Sequence, residues 1–241
     1  INLHDFKLLG GFSQEWAHTN TLSAGRKVLL LDGIEVIDAG TDEITNGGSA
    51  EEWALRSFFG RINYNYDEKY LLEANVRYDG TSRFAKDNRW GCFPSFSAGW
   101  NFSKEKFMSF ADPVLQMAKL RASWGELGNQ NVGDNFYPYL VAIESVDKAY
   151  PIGNQLNTGF QQIALGNKNI KWETIRMLNI GVDFALFNNR LTVSADWFKK
   201  NNMDALVRPS FPLVIGKWQK DSSRDYLPLE NLGEVESRGW E

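Results

Sequence analysis

Alternation of apolar and polar side chains at every second position constrains this sequence more than any other feature. From Tyr70 to Asp79, Tyr70, Leu72, Ala74, Val76 and Tyr78 fall on one face, and Glu73, Asn75, Arg77 and Asp79 on the other, with Leu71 the exception. Successive side chains of a strand point to opposite faces, so a period of two predicts a strand with one wet and one dry side. The pattern recurs over 58–66, 94–102, 118–124, 178–186 and 191–197, with weaker candidates near 6–14 and 227–241. About eight strands of roughly nine to thirteen residues follow, and a tilted strand needs about 9–11 residues to cross a bilayer. The even-numbered set from Phe58 to Trp124 and from Leu178 to Leu186 makes the apolar face; after the turn at 188–189 that face passes to Leu191, Val193, Ala195 and Trp197.

The connections are ordered as well. They read as 15–52, 67–69, 80–90, 104–117, 127–175, 188–189 and 201–226, so long and short links largely alternate. In an up-and-down sheet alternate links lie at opposite ends, which gives one end with long loops and one with tight turns. Two hairpins fix the register. Pairing Tyr66 with Tyr70 sets Tyr64 beside Leu72 and Asn63 beside Glu73; pairing Phe187 with Arg190 sets Asp183 beside Ser194 and Val182 beside Ala195. Like meets like in both, as a two-faced sheet requires.

Patterning alone leaves a membrane barrel and a soluble β protein both open, because a sandwich also has one apolar face per sheet. Aromatics make up 14% of the chain and cluster near strand ends, as at Tyr64, Tyr66 and Tyr70, which suits an interfacial girdle. The 241 residues carry a net charge of -4, so no basic field points to nucleic acid. One cysteine, Cys92, permits no intrachain disulfide. No stretch approaches a membrane helix. No signal peptide opens the chain and it stops at Trp240-Glu241, so it reads as an internal fragment.

Motifs for chemistry are sparse. His4 and His18 lack metal-ligand spacing, and no cofactor is expected. Gly125, Gly128 and Gly133 around Asn129-Gln130-Asn131 read as a strand exit, since no Lys-Ser/Thr follows for a phosphate loop. Glu73, Asp79, Asp183 and Asp196 are expected to pair with Arg61, Arg77, Lys119 or Arg121 rather than act as acid and base. Asp79-Gly80 reads as a turn signal. Trp90, Tyr137, Tyr139 and Trp172 are candidate ligand-stacking aromatics, against simple loop packing.

Several runs carry a family resemblance. Arg61-Ile62-Asn63-Tyr64-Asn65-Tyr66, Lys69-Tyr70-Leu71-Leu72 and Arg77-Tyr78-Asp79-Gly80-Thr81-Ser82-Arg83-Phe84 resemble the barrel of SusC/RagA-type, TonB-dependent outer-membrane transporters. So do Asn88-Arg89-Trp90-Gly91, Phe93-Pro94-Ser95, Lys119-Leu120-Arg121-Ala122-Ser123-Trp124-Gly125, Asn169-Ile170-Lys171-Trp172-Glu173-Thr174 and Leu186-Phe187-Asn188-Asn189-Arg190-Leu191. Asn231-Leu232-Gly233-Glu234-Val235 and Ser237-Arg238-Gly239 resemble a late strand pair. The matches run in order from about residue 58, whereas 1–57 match only loosely.

The resemblance implies an all-β fold, a transmembrane antiparallel β-barrel of about 22 strands, of which residues 1–241 would supply about eight without the plug domain or TonB box. It further implies a non-enzymatic importer of oligosaccharide or peptide, a SusD-like surface lipoprotein as lid, energy from TonB, outer-membrane lipid around the wall, and a dimer of transporter–lipoprotein pairs. Long loops would be extracellular and short turns periplasmic. A non-transport β-sheet binding or adhesion module remains the alternative reading.

Overall fold

In the computed structural model the described residues are 3–29, 33, 36–111, 114–133, 136–209 and 227–241. Ten strands form there: β1 His4–Leu29, β2 Gly40–Tyr66, β3 Tyr70–Thr81, β4 Trp90–Asn101, β5 Leu115–Asn129, β6 Ala142–Ile152, β7 Gln155–Ala164, β8 Glu173–Leu186, β9 Leu191–Val207 and β10 Glu230–Trp240. Eight of them make one sheet in the order β1-β2-β3-β4-β5-β8-β9-β10, each antiparallel to the next, and β6-β7 is a separate hairpin inserted between β5 and β8. This is the up-and-down meander that the alternation predicts.

Both expected registers are present. Tyr66 pairs with Tyr70, Tyr64 with Leu72 and Asn63 with Glu73; Asp183 pairs with Ser194 and Val182 with Ala195. At the second turn Phe187, Asn188 and Asn189 all hold positive φ, the left-handed region that asparagine tolerates best among non-glycine residues. The odd sum of the β8–β9 register is what moves the apolar set from even to odd numbers, as the Leu186–Leu191 pair shows.

Two expected loops are strands. Residues 15–52 do not form a loop: β1 and β2 continue as a paired ribbon, with Trp16 opposite Ala54 and Leu22 opposite Gly48, and a bulge between Gly25 and Lys27. Among the described residues nothing covers either face of this ribbon over most of its length, so selection for a buried stripe is missing and the period-two contrast fades. The segment 127–175 likewise contains the β6–β7 hairpin. Asp79-Gly80 is not a turn either. Both residues sit inside β3, opposite Gly91 and Trp90, and a Cβ on Gly80 would lie 2.6 Å from the Trp90 ring. That glycine makes room for an indole lying across the strand. Of 201–226, β9 claims the residues to Val207, and 210–226 lie outside the described residues.

Burial is inverted relative to a globular protein. Large apolar side chains along the strands are open, including Leu8, Phe12, Ile62, Leu72, Val76, Phe96 and Val193. A sandwich would cover that face with a second sheet; among the described residues none does. The packed core is a small knot of Phe84, Phe93, Val132, Ile170 and Trp172 at the end of the sheet where the long connections leave.

Candidate functional site: the two faces of the wall and its mouth

The outward face is a ladder of aliphatic and aromatic residues bounded by ring clusters. At the short-turn end His4 lies 4.9 Å from Tyr66, Tyr66 stacks on Tyr70 at 6.1 Å, and Trp100 lies 5.7 Å from Phe102. At the other end Trp90 stacks on Tyr78 at 4.9 Å and on Phe58 at 6.2 Å. Tyr70 and Tyr78 are eight residues apart, about 27 Å along a strand and about 20 Å across a membrane at a ~40° tilt, close to the apolar band of outer-membrane barrels. Cross-strand apolar pairs fill the interval, with Ile62 opposite Ala74, Ala74 opposite Phe96, and Phe96 opposite Trp124.

The opposite face is polar and tied together. Arg61 Nε donates to Asn75 Oδ1 at 2.6 Å, and Asn75 Nδ2 donates to Glu73 Oε1 at 2.8 Å, while Asn63 Nδ2 donates to the same carboxylate. Arg77 forks onto Asp79 at 3.2 and 3.3 Å and reaches Ser57 Oγ at 3.3 Å. Arg121 bridges two strands, donating to Asp183 at 2.9 and 3.2 Å and to Asp196 at 2.6 Å, and Ser194 Oγ donates to Asp183. The expected partnership of acids with Arg61, Arg77 and Arg121 is therefore present, and each of the four carboxylates is engaged. A polar groove of about 550 Å³ runs along this face between Asp5, Lys7, Glu73, Lys119 and Arg121. Such a surface holds water and polar solutes through fixed donors and acceptors. Its acids are engaged in ion pairs and hydrogen bonds with neighbouring side chains.

The mouth is organised by residues that lie in strand exits. Trp172 meets Phe84 at 5.6 Å and Phe93 at 5.3 Å, both edge to face, and its Nε1 donates to the Arg89 carbonyl at 3.0 Å. Gly128 belongs to the same packing, since a Cβ there would lie 2.1 Å from the Phe93 ring. Asn129 and Asn131 close the β5 exit by accepting from the backbone N–H groups of Asn131 and Gly133, both at 3.0 Å, with Gly133 at φ +73°. This is the strand exit expected there, built from Asx turns.

Above the knot a second cluster ties loop to ribbon. The Arg83 guanidinium lies 4.9 Å from the Trp53 ring centre and 4.7 Å from that of Phe136, and Tyr137 Oη donates to the Glu52 carbonyl. Burial draws the Arg83 pKa below its ordinary value, partly countered by Tyr137. Among the described residues the cation is thus held by aromatic faces, with no acid paired to it.

The four candidate aromatics therefore lie in three settings. Trp90 is on the outward face, against Tyr78 and Phe58. Tyr137 and Tyr139 stand together at the mouth, 6.2 Å apart and edge to face. Trp172 is 7% exposed inside the knot, where its ring faces are taken by protein. Sequence reading missed Phe84, Phe93, Ile170 and Arg83. The runs that hold them, Arg83-Phe84, Trp90-Gly91-Cys92-Phe93 and Ile170-Lys171-Trp172, place bulky side chains at or next to strand ends but carry no local sign that these meet.

Comparison with known proteins agrees with this geometry. A model of the family described as TonB dependent receptor-like, beta-barrel matches residues 4–241, so the first 57 residues belong to the match as well. TonB-dependent receptor P39 of Formosa agariphila is 37% identical over 199 residues, 82% of this chain and 17% of that protein. TonB-dependent receptor SusC of Bacteroides thetaiotaomicron is 32% identical over 248 residues, covering 100% of this chain and 23% of its own length. In fold, the chain is similar to the structure of the RagAB peptide transporter, with a TM-score of 0.84 over 100% of this chain and 25% of that one, at 24% identity. The chain thus spans about a quarter of the length of the relatives it matches. It belongs to the TonB-dependent receptor-like β-barrel family.

Proposed function

We propose that this eight-stranded sheet is a section of the wall of an outer-membrane import barrel, with the apolar face in lipid and the ion-paired face toward an aqueous lumen. The observation that carries the reading is the pairing of an uncovered apolar ladder with an ion-paired polar network on opposite faces of one sheet. Among the described residues the sheet order runs from β1 to β10 without closing, and an unpaired backbone group in hydrocarbon costs several kcal/mol, so on this reading further strands complete the barrel. On this reading residues 1–241 lie in one barrel domain. The turns at 67–69 and 188–189 face the periplasm, and the β1–β2 ribbon and β6–β7 hairpin stand outside the cell. The relative named TonB-dependent receptor SusC and the fold shared with the RagAB peptide transporter support TonB-dependent import, and the SusC/RagA resemblance of the sequence extends this to an oligosaccharide or peptide and a SusD-like lipoprotein closing over the mouth. Tyr137 and Tyr139 are the ring pair best placed to meet such a ligand.

Sidedness is testable in intact cells. In a Cys92→Ser background, a membrane-impermeant thiol reagent is expected to label Ser145→Cys, whose site in β6 is exposed, and to leave Asn188→Cys unlabelled until the outer membrane is opened. The reverse pattern turns the barrel upside down.

The lid is testable by deletion. Residues 140 and 166 are already adjacent, with Gly166 against the Leu140 backbone and Asn167 N donating to the Pro138 carbonyl at 3.0 Å. Removing 141–165 therefore closes a short gap and leaves the wall intact, since loop length costs little stability. The deleted barrel is expected to reach the outer membrane at normal abundance but to co-purify with much less of the tagged lipoprotein. Equal recovery with uptake intact removes the hairpin from the docking surface.

A further inference from the structure

The link between β4 and β5 is not a plain turn. Phe102–Lys104 and Lys106–Ala111 are two short 3-10 turns, and they lie against the outward face rather than under the lumen. Phe102 packs edge to face on outward-facing Phe184 at 6.2 Å, and Phe107 lies 6.4 Å from outward-facing Trp100. Side chains three apart eclipse on a 3-10 turn, so Phe107 and Phe110 share an edge. They are 60% and 78% exposed. Such exposure of two phenylalanines on a short polar-flanked segment is unusual for a surface in water.

The charges around them are arranged unequally. Glu105 turns back to the sheet, accepting from Tyr70 Oη at 2.6 Å and from Trp100 Nε1 at 3.2 Å. Those donors, Tyr70 first, hold its carboxyl below the usual range. Lys104 pairs with Glu68 of the neighbouring turn. Lys106 is exposed and has no ion-pair partner among the described residues. The free edge of the segment therefore presents two phenyl rings and one cation, in line with the aromatic girdle of Tyr66, Tyr70 and Trp100.

We propose that Phe102–Ala111 is a foot that docks on phospholipid of the periplasmic leaflet, with Phe107 and Phe110 in the headgroup–acyl boundary and Lys106 at the level of the lipid phosphates. Aromatic rings settle at that depth because one part is apolar and the surroundings are half wet, and a lysine stem reaches outward to the phosphate plane. The foot fixes the height of the wall in the membrane at the end where tight turns offer little else to hold. This inference rests on the membrane reading above.

The test is the depth of nitroxide labels in the complete barrel, without Cys92 and reconstituted in phosphatidylethanolamine–phosphatidylglycerol vesicles. Labels go singly at 107 and 110, at 72 as an apolar-face reference and at 188 as a turn reference. Labels at 107 and 110 are expected to be relaxed by oxygen several-fold more, relative to a nickel chelate, than the label at 188, and to lie shallower than the one at 72. Adding Lys106→Glu is expected to move the label at 110 toward water; an unchanged depth removes the lysine from the foot. Chelate access at 107 and 110 equal to that at 188, with 72 still in oxygen, overturns the foot and leaves the membrane reading standing. Shielding of both from oxygen and chelate also overturns it, and assigns the surface to a protein. Chelate access at 72 overturns the membrane reading itself.

Discussion

Val76→Arg is expected to block assembly of the barrel in the outer membrane, while Asn75→Arg is tolerated. The two positions are neighbours in β3 and differ only in the face they occupy. Val76 lies near the middle of the outward ladder, between Gly60 and Pro94, and is 46% exposed. An arginine there meets hydrocarbon on the lipid side, at about 2–4 kcal/mol near the midplane. Asn75 sits within the inner network, bonded to Arg61 and Glu73. An arginine at 75 loses those bonds and crowds Arg61, but it stays hydrated and has Glu73 beside it. Heat-modifiable mobility of the barrel on gels, measured on outer-membrane fractions, reads out assembly. Equal folded fractions for the two variants contradict the assignment of faces.

Trp172→Ala is expected to destabilise the wall by about 3–5 kcal/mol, the cost of removing a large aromatic from a packed site. The ring contacts both Phe84 and Phe93, and its loss also removes one of two donors to the Arg89 carbonyl, leaving only the Thr81 N–H at 3.1 Å. Trp172→Phe keeps part of the packing and is expected to lose less. Trp90→Ala serves as contrast, because that indole is 38% exposed on the outward face and stacks on Tyr78. Urea titration of the barrel in vesicles measures all three. A Trp172→Ala protein as stable as the parent, but with weakened ligand uptake, would return Trp172 to the set of ligand-contacting residues.

How much of this was legible in the sequence depended on what each segment is exposed to. Between Phe58 and Trp197, outside the β6–β7 hairpin, the strands of the wall have one apolar and one polar face, so each side chain records its face, and both hairpin registers are legible in the sequence. The β1–β2 ribbon is exposed on both faces over most of its described residues from about 15 to 52, and His18-Thr19-Asn20-Thr21 carries β-prone residues but no stripe. Its strands were hidden for that reason. The ion pairs of Arg61 with Glu73 and of Arg121 with Asp183 followed from facing parity, because odd-numbered charges on these adjacent strands meet on the same side; Arg77 reaches Asp79 two residues on in its own strand, and Asp196 joins from the even-numbered polar set of β9. The knot did not follow. Phe84 follows β3, Phe93 lies at the start of β4, Val132 follows β5, and Ile170 and Trp172 precede β8; no local period brings those distant strand ends together. Gly80 misled for a related reason: Asp-Gly is a turn dipeptide by local preference, and a tertiary contact with Trp90 decided its conformation instead.

The central claim is that one sheet separates lipid from lumen with a period of two, and scanning β3 tests it most directly. Single cysteines from Leu71 to Tyr78, in the complete barrel without Cys92 and in native outer membranes, are reacted with a small water-soluble methanethiosulfonate. The account predicts fast reaction at 71, 73, 75 and 77 and protection at 72, 74, 76 and 78. Uniform reactivity along the strand, or fast reaction at the even positions, contradicts it.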